Sequence, residues 1–165
     1  MGEPIYVLDA NVFIEAKNRY YAFDLAPKFW ESLEEQGAKG RILSIDRVKK
    51  ELERGKDELA TWAKGQFSHG FVSTDEAEIT QVYGSIMIWV NNQKQFTEPA
   101  KAEFATGADG WLIAYAKAKN CVVVTHEIFA LDVKRKVPIP NICKAFDVLF
   151  VDTFEMLRKL GVRFG

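Results

Sequence analysis

Residues 5–14 read IYVLDANVFI. Four residues of strand-forming character, Ile5 to Leu8, lead straight into Asp9, and the chain turns apolar again after Asn11. A carboxylate at the end of a buried strand is costly unless a hydrogen-bond donor, a cation or a metal compensates it. The fold and the role of Asp9 therefore depend on what the rest of the chain brings to that strand end.

Working outward, residues 5–8 are the first of several short apolar strands. RILS (41–44), FVS (71–73), CVVVT (121–125) and VLFV (148–151) are the others. Helical spacing of apolar residues fills the intervals, at 11–18, 22–36, about 46–54, 57–64, about 75–93 and 106–119, with a last helix over 152–161. Phe23, Ala26, Phe29, Trp30 and Leu33 form one stripe, and Ile79, Val82, Tyr83, Ile86 and Val90 another. The segment with KRK and PIP, after CVVVT, reads as a loop. Strands that alternate with helices and are apolar on both faces predict an α/β fold with a mainly parallel sheet covered on two sides. No repeat, low-complexity segment or linker divides residues 1–165, which read as one domain.

The 165 residues are 48% apolar and 27% charged, with a formal net charge of −1. That balance excludes binding nucleic acid by a global positive field, so any such contact must be local. No stretch approaches the roughly 18 apolar residues of a membrane span. MGEP lacks the layout of a signal peptide, and the reading is a cytoplasmic protein with no membrane partner. The two cysteines, Cys121 and Cys143, and the two histidines, His69 and His126, lack zinc-site spacing. Cys121 reads as a buried structural thiol.

Ligands of a parallel sheet sit beyond the C-terminal strand ends. Asp9 follows the first strand, while Thr125, His126 and Glu127 follow CVVV. Asp109 opens the helix that leads into CVVV and shares a face with Leu112, Ile113 and Ala116, so it points inward. Glu51 lies beside the apolar stripe of Ile45, Val48 and Leu52. Each has a plainer reading: Asp9 as a helix cap, Thr106 with Asp109 as a capping box, and Glu51 and Glu127 as surface charge. Together they would crowd up to four carboxylates into one crevice. Such crowding raises their pKa values or demands a cation. A hard divalent ion with oxygen ligands suits that set.

VLDANVFI, RVKKELERG and ATGADGWLIAYAKAKNCVVVTHE resemble, in order and spacing, the acidic motifs of the PIN-like domain family, and VPIPNIC resembles a segment of a small uncharacterised prokaryotic branch of it. The resemblance spans the whole chain. It implies a PIN-like three-layer α/β/α fold with a central mainly parallel sheet of four to five strands. It also implies a metal-dependent ribonuclease, often the toxin of a VapC-type toxin–antitoxin pair, that uses one or two Mg or Mn ions and leaves a 5′-phosphate and a 3′-hydroxyl. Position by position, Asp9, Glu51 and Asp109 match the first three acids. Glu127 falls at the fourth, where many members carry Asp or Asn, with Asp132 as the alternative. Asn11 and Thr125 match supporting polar positions. RNA, an antitoxin and a second copy of the chain are the implied partners.

Local RNA contacts are candidates at Lys17, Arg19, Lys50, Lys134, Arg135 and Lys136, with Tyr20 and Tyr21 available to stack on unpaired bases. His126 reads as a supporting or surface residue. Trp62, Met87 and Trp89 read as core, or as part of a dimer or antitoxin interface. Two rival readings stand beside the nuclease. One is a catalytically silent PIN-like module that binds RNA or protein. The other is a HAD-like phosphohydrolase, disfavoured because Asn11 stands where its second Asp is needed. A response-regulator receiver lacks its paired acid and late Lys here.

Overall fold

The computed structural model describes residues 2–164. Among these, five strands form one sheet in the order β3-β2-β1-β4-β5. They are β1 (Tyr6–Leu8), β2 (Ile42–Ile45), β3 (Phe71–Val72), β4 (Val122–Val124) and β5 (Phe150–Val151). Every pairing is parallel. Register follows directly: Tyr6 opposes Ile42 on one side and Val122 on the other. Tyr6, Val7 and Leu8 are all buried. Successive residues of a strand face opposite sides, so β1 is covered on both, and the sheet is the middle of three layers.

The helices are α1 (Ala10–Glu15), α2 (Pro27–Ala38), α3 (Asp46–Arg54), α4 (Glu58–Lys64), α5 (Ala77–Asn92), α6 (Glu98–Thr106), α7 (Asp109–Lys119), α8 (Ile139–Ala145) and α9 (Thr153–Leu160). The α/β class and the parallel sheet are those expected from the sequence. Several boundaries are not. The helix expected over 11–18 ends at Glu15 and passes into a π-turn at residues 16–20. The helix expected over 22–36 begins only at Pro27, because Ala26, the residue before proline, is held out of the helical region. It runs past Gly37 to Ala38. VLFV contributes only Phe150 and Val151 to the sheet.

Two helices occupy segments read as connections. In α6, the Thr97 hydroxyl accepts from Ala100 N at 3.2 Å and Pro99 sits in the first turn. In α8, Pro140 does likewise. Proline at a helix start costs nothing, since the first N–H groups have no partner within the helix. Thr106 therefore ends α6 rather than capping α7. Its hydroxyl donates to the Glu103 carbonyl at 3.0 Å, and the expected capping box is not formed.

Phe13, Phe29, Trp30, Trp62 and Phe67 fill one part of the core, with Trp62 stacked on Phe67 at 4.8 Å between ring centres. Trp62 is thus interior rather than an interface residue, and its indole N–H donates to Glu34 at 2.8 Å. Helix α7 lies against α5 and α6 through Gly110. A Cβ there would stand 3.0 Å from the Tyr83 ring and 3.1 Å from the Phe104 ring. That close approach sets the N-terminus of α7 beside α6. Cys121 is a buried free thiol, as expected, and so is Cys143. Among the described residues no helix is long and apolar enough to cross a membrane.

Candidate metal centre

Strand β1 is the switch point of the sheet: β2 and β3 lie to one side, β4 and β5 to the other. Crevices form at such points beyond the C-terminal strand ends. Asp9 leaves β1 there and its N–H donates to the Val124 carbonyl at 3.0 Å. Thr125 leaves β4 beside it, its N–H bonded to Val151 O at 3.0 Å.

Asp9 is only 2% exposed. It occupies the N-cap position of α1, but its side chain makes no capping bond, so capping does not explain why a carboxylate is buried here. Its side-chain partner is Thr125, whose hydroxyl donates to Asp9 Oδ2 at 3.2 Å. The same hydroxyl oxygen accepts from Glu127 N at 3.1 Å. Thr125 thereby fixes Asp9 and the start of the Glu127 segment together. Burial, then the charges of Asp109 and Glu127, push the Asp9 carboxyl well above the usual carboxylate range, against the opposing influence of the Thr125 hydroxyl and, after it, the Asn11 backbone N–H.

Asp109 is the first residue of α7. Burial and the nearby carboxylates of Glu127 and Glu51 raise it to about 7, with Lys136 opposing. Glu51 reaches over from α3, where its Oε1 accepts from Ala108 N at 3.3 Å. It satisfies a backbone donor at the start of α7 that no local side chain caps. Glu127 is held from two sides: Oε1 accepts from Ile139 N at 2.9 Å, at the start of α8, and Oε2 lies 3.2 Å from Lys136 Nζ.

A pocket of about 220 Å³ opens here, lined by Asn11, Glu51, Glu103, Asp109, Glu127 and Lys136 among others. Three of the four expected acids and Asn11 therefore line one cavity; Asp9 is buried outside that lining, near enough to Asp109 and Glu127 to feel their charge. Asp132 is exposed on the following loop and does not line it. Glu103 does line it and adds to the charge felt by Asp109. Glu103 was missed because no helix is expected from the sequence over residues 94–105; the Thr97–Glu98–Pro99 start was the available signal.

The donor set suits a hard divalent ion: carboxylate oxygens that repel one another, one of them buried. Among the described residues, however, no three His, Cys, Asp or Glu side chains converge tightly enough to hold one metal ion. The geometry explains this. Glu51 and Glu127 each turn an oxygen to a backbone N–H, and Glu127 gives its other oxygen to Lys136.

The basic candidates divide. Lys17 is bound to Asp57 across the first helix connection. Arg19, Lys50, Lys134 and Arg135 are exposed. The loop carrying Lys134 and Arg135 is fastened by Gln95, which donates to the carbonyls of Leu131 and Val133 at 2.8 and 2.7 Å. Tyr21 stacks on Phe29 at 4.2 Å and is half-buried, so it is not available to a base. Tyr20 remains exposed beside the rings of His126 and Phe154. His126 is tied to Thr153 at 2.9 Å, a supporting role.

Comparison with known proteins agrees with this architecture. A family model described as a domain of unknown function, DUF4411, matches residues 6–164. No curated protein matches the sequence. Among solved structures, VapBC2 from Rickettsia felis, bound to a DNA fragment from its promoter, is similar over 90% of this chain and 98% of its own, at 17% identity and a TM-score of 0.54. FitAB bound to an IR36 DNA fragment is similar over 90% and 94%, at 19% identity and 0.55. FitAcB from Neisseria gonorrhoeae is similar over 88% and 96%, at 20% identity and 0.54. The fold is PIN-like.

Proposed function

We propose that this chain, which belongs to the DUF4411 family, is a metal-dependent endoribonuclease and the toxin of a toxin–antitoxin pair. The observation that carries the reading is Asp9: a carboxylate buried at the sheet's switch point, facing Asp109 and Glu127 and bonded to Thr125. A divalent ion would account for that arrangement.

Asp9, Glu51, Asp109 and Glu127 would hold the ion, with Glu103 also lining the pocket. When bound, magnesium or manganese supplies charge that acidifies a water and stabilises the leaving oxygen of the phosphodiester. The chain's own residues do the positioning. Thr125 orients Asp9. The backbone N–H groups of Ala108 and Ile139 orient Glu51 and Glu127. Asn11 stands exposed at the pocket wall, where its amide can meet a phosphate or a water. Arg19, Lys50, Lys134 and Arg135 supply local positive charge for the RNA backbone, and Tyr20 an aromatic face for an unpaired base.

The likeness to VapBC2 and the Fit assemblies supports an antitoxin partner; self-association and a cytoplasmic location belong to the same proposal. The silent-module reading differs in one respect: it keeps the fold but needs no metal.

The test is cleavage of a mixed-sequence RNA set by the purified protein with magnesium or manganese, beside Asp9→Asn and Asp109→Asn. Cutting that requires metal, leaves a 5′-phosphate and is lost in both variants supports the reading. Activity that survives in both variants overturns it. Absence of both cutting and metal binding favours the silent module.

A further inference from the structure

The acidic pocket already contains a cation that belongs to the chain. Lys136 lies on the pocket wall with Asp109 and Glu51, and its Nζ is 3.2 Å from Glu127 Oε2. The two partners are unequally anchored. The Glu127 side chain is 14% exposed and pinned by Ile139 N, whereas the Lys136 side chain is 55% exposed. Lysine is a compact charge on a flexible stem, so the ammonium can swing outward while the carboxylate stays. Next to it in sequence stand Lys134 and Arg135, both exposed.

We propose that Lys136 is a resident counter-cation that occupies Glu127 in the metal-free protein and must release it for a divalent ion to bind. The proposal rests on the metal-nuclease reading and deepens it by assigning a residue that sets the pocket's metal affinity. Two observations carry it. Among the described residues no three acids converge on a metal position, and the one Glu127 oxygen not bonded to backbone, Oε2, is held by Lys136. Lys136 also lines the pocket together with Asp109 and Glu51, so its charge bears on more of the pocket than its one partner. A positive charge a few ångströms from an incoming divalent ion opposes it directly, and ionic strength weakens that opposition. Lys136 is a positioning residue by this account, acting through Glu127.

The experiment is calorimetric titration of manganese, without RNA, into the wild type, Lys136→Met and Lys136→Arg. Lys136→Met is expected to bind manganese about threefold to tenfold more tightly, the range a single nearby charge produces at a solvent-reached site. Lys136→Arg is expected to stay near the wild type, and raising salt to narrow the gap. In a Glu127→Gln background the gain from Lys136→Met should largely vanish, since the hold is on the carboxylate. Wild-type binding with equal or weaker affinity in Lys136→Met overturns the proposal and makes Lys136 a contact for RNA phosphate only. A gain that persists undiminished beside Glu127→Gln overturns the assignment to Glu127. Manganese binding by none of the proteins overturns the metal reading and this proposal together.

Discussion

The Asp109 carboxyl gives the sharpest test of a pocket built to receive a cation. In the metal-free protein it is raised from 3.8 to about 7 by burial and by Glu127 and Glu51. A group raised in the folded state binds its proton more tightly there than in the unfolded chain. Its stabilising effect is therefore complete below pH 3.8 and lost as pH rises through about 7. A separation of roughly three pH units at about 1.36 kcal/mol each corresponds to ~4 kcal/mol over the full span. Asp9 is raised as well and acts in the same direction. Asp57 is lowered, first by its hydrogen bond from Lys17, and loses stability only as pH falls below the ordinary carboxylate range. The window from pH 5 to 8 therefore leaves Asp57 out, and the comparison with Asp109→Asn assigns the remaining slope.

In EDTA, the wild type should be less stable at pH 8 than at pH 5 by about 2–4 kcal/mol, a fall in Tm on the order of 5–15 °C for a chain of this length. Asp109→Asn should remove a large part of that slope and be the more stable protein at pH 8. Saturating magnesium should restore the wild type at pH 8 and do little for the variant. Thermal and urea unfolding at the two pH values, with and without magnesium, measures all of this. Equal wild-type stability at pH 5 and 8 in EDTA would refute the crowded-acid account, and so would an undiminished slope in Asp109→Asn.

Two further substitutions separate structural from metal-holding roles. Glu51→Gln keeps an oxygen that can accept from Ala108 N, so its Tm should stay within a degree or two while manganese affinity falls; unchanged affinity in calorimetry would remove Glu51 from the centre. Thr125→Val deletes the donor to Asp9 and the acceptor for Glu127 N. The cost should be about 1–3 kcal/mol, read as a lower urea midpoint together with weaker manganese binding, and an unaltered midpoint would show that Thr125 organises neither acid.

Asp9, Asp109 and Glu127 could be placed beside one another from the sequence because strand ends and helix starts in a parallel sheet share one edge; Glu51, midway along α3, was placed there by the family resemblance rather than by its spacing. Asp9 was legible for a second reason: a strand buried on both faces leaves its terminal carboxylate nowhere to be solvated. Glu103 was not, since its helix carries little apolar contrast and its start is marked only by Thr97 and Pro99. The outcome at Thr106 shows the limit of motif reading. A capping box fits Thr106 and Asp109 by spacing, yet Thr106 closes α6 and the exposed donor of α7 is satisfied by Glu51, 57 residues away in sequence. Local patterns do not report long-range partners. The pairing of Lys136 with Glu127 was invisible for the same reason, and KRK read only as a basic run.

The order of the sheet has a consequence for when the molecule becomes active during its own synthesis. The central strand β1 is made first but completes its pairing only with β4, whose partner residues Val122 to Val124 come more than a hundred positions later. Thr125 and Glu127 follow that strand immediately. A growing chain can therefore dock β1 on β2 and still possess no assembled acid pocket. Under the proposed nuclease reading, a nascent chain that has not yet reached β4 is expected not to cut RNA, because Thr125 and Glu127 have still to be made.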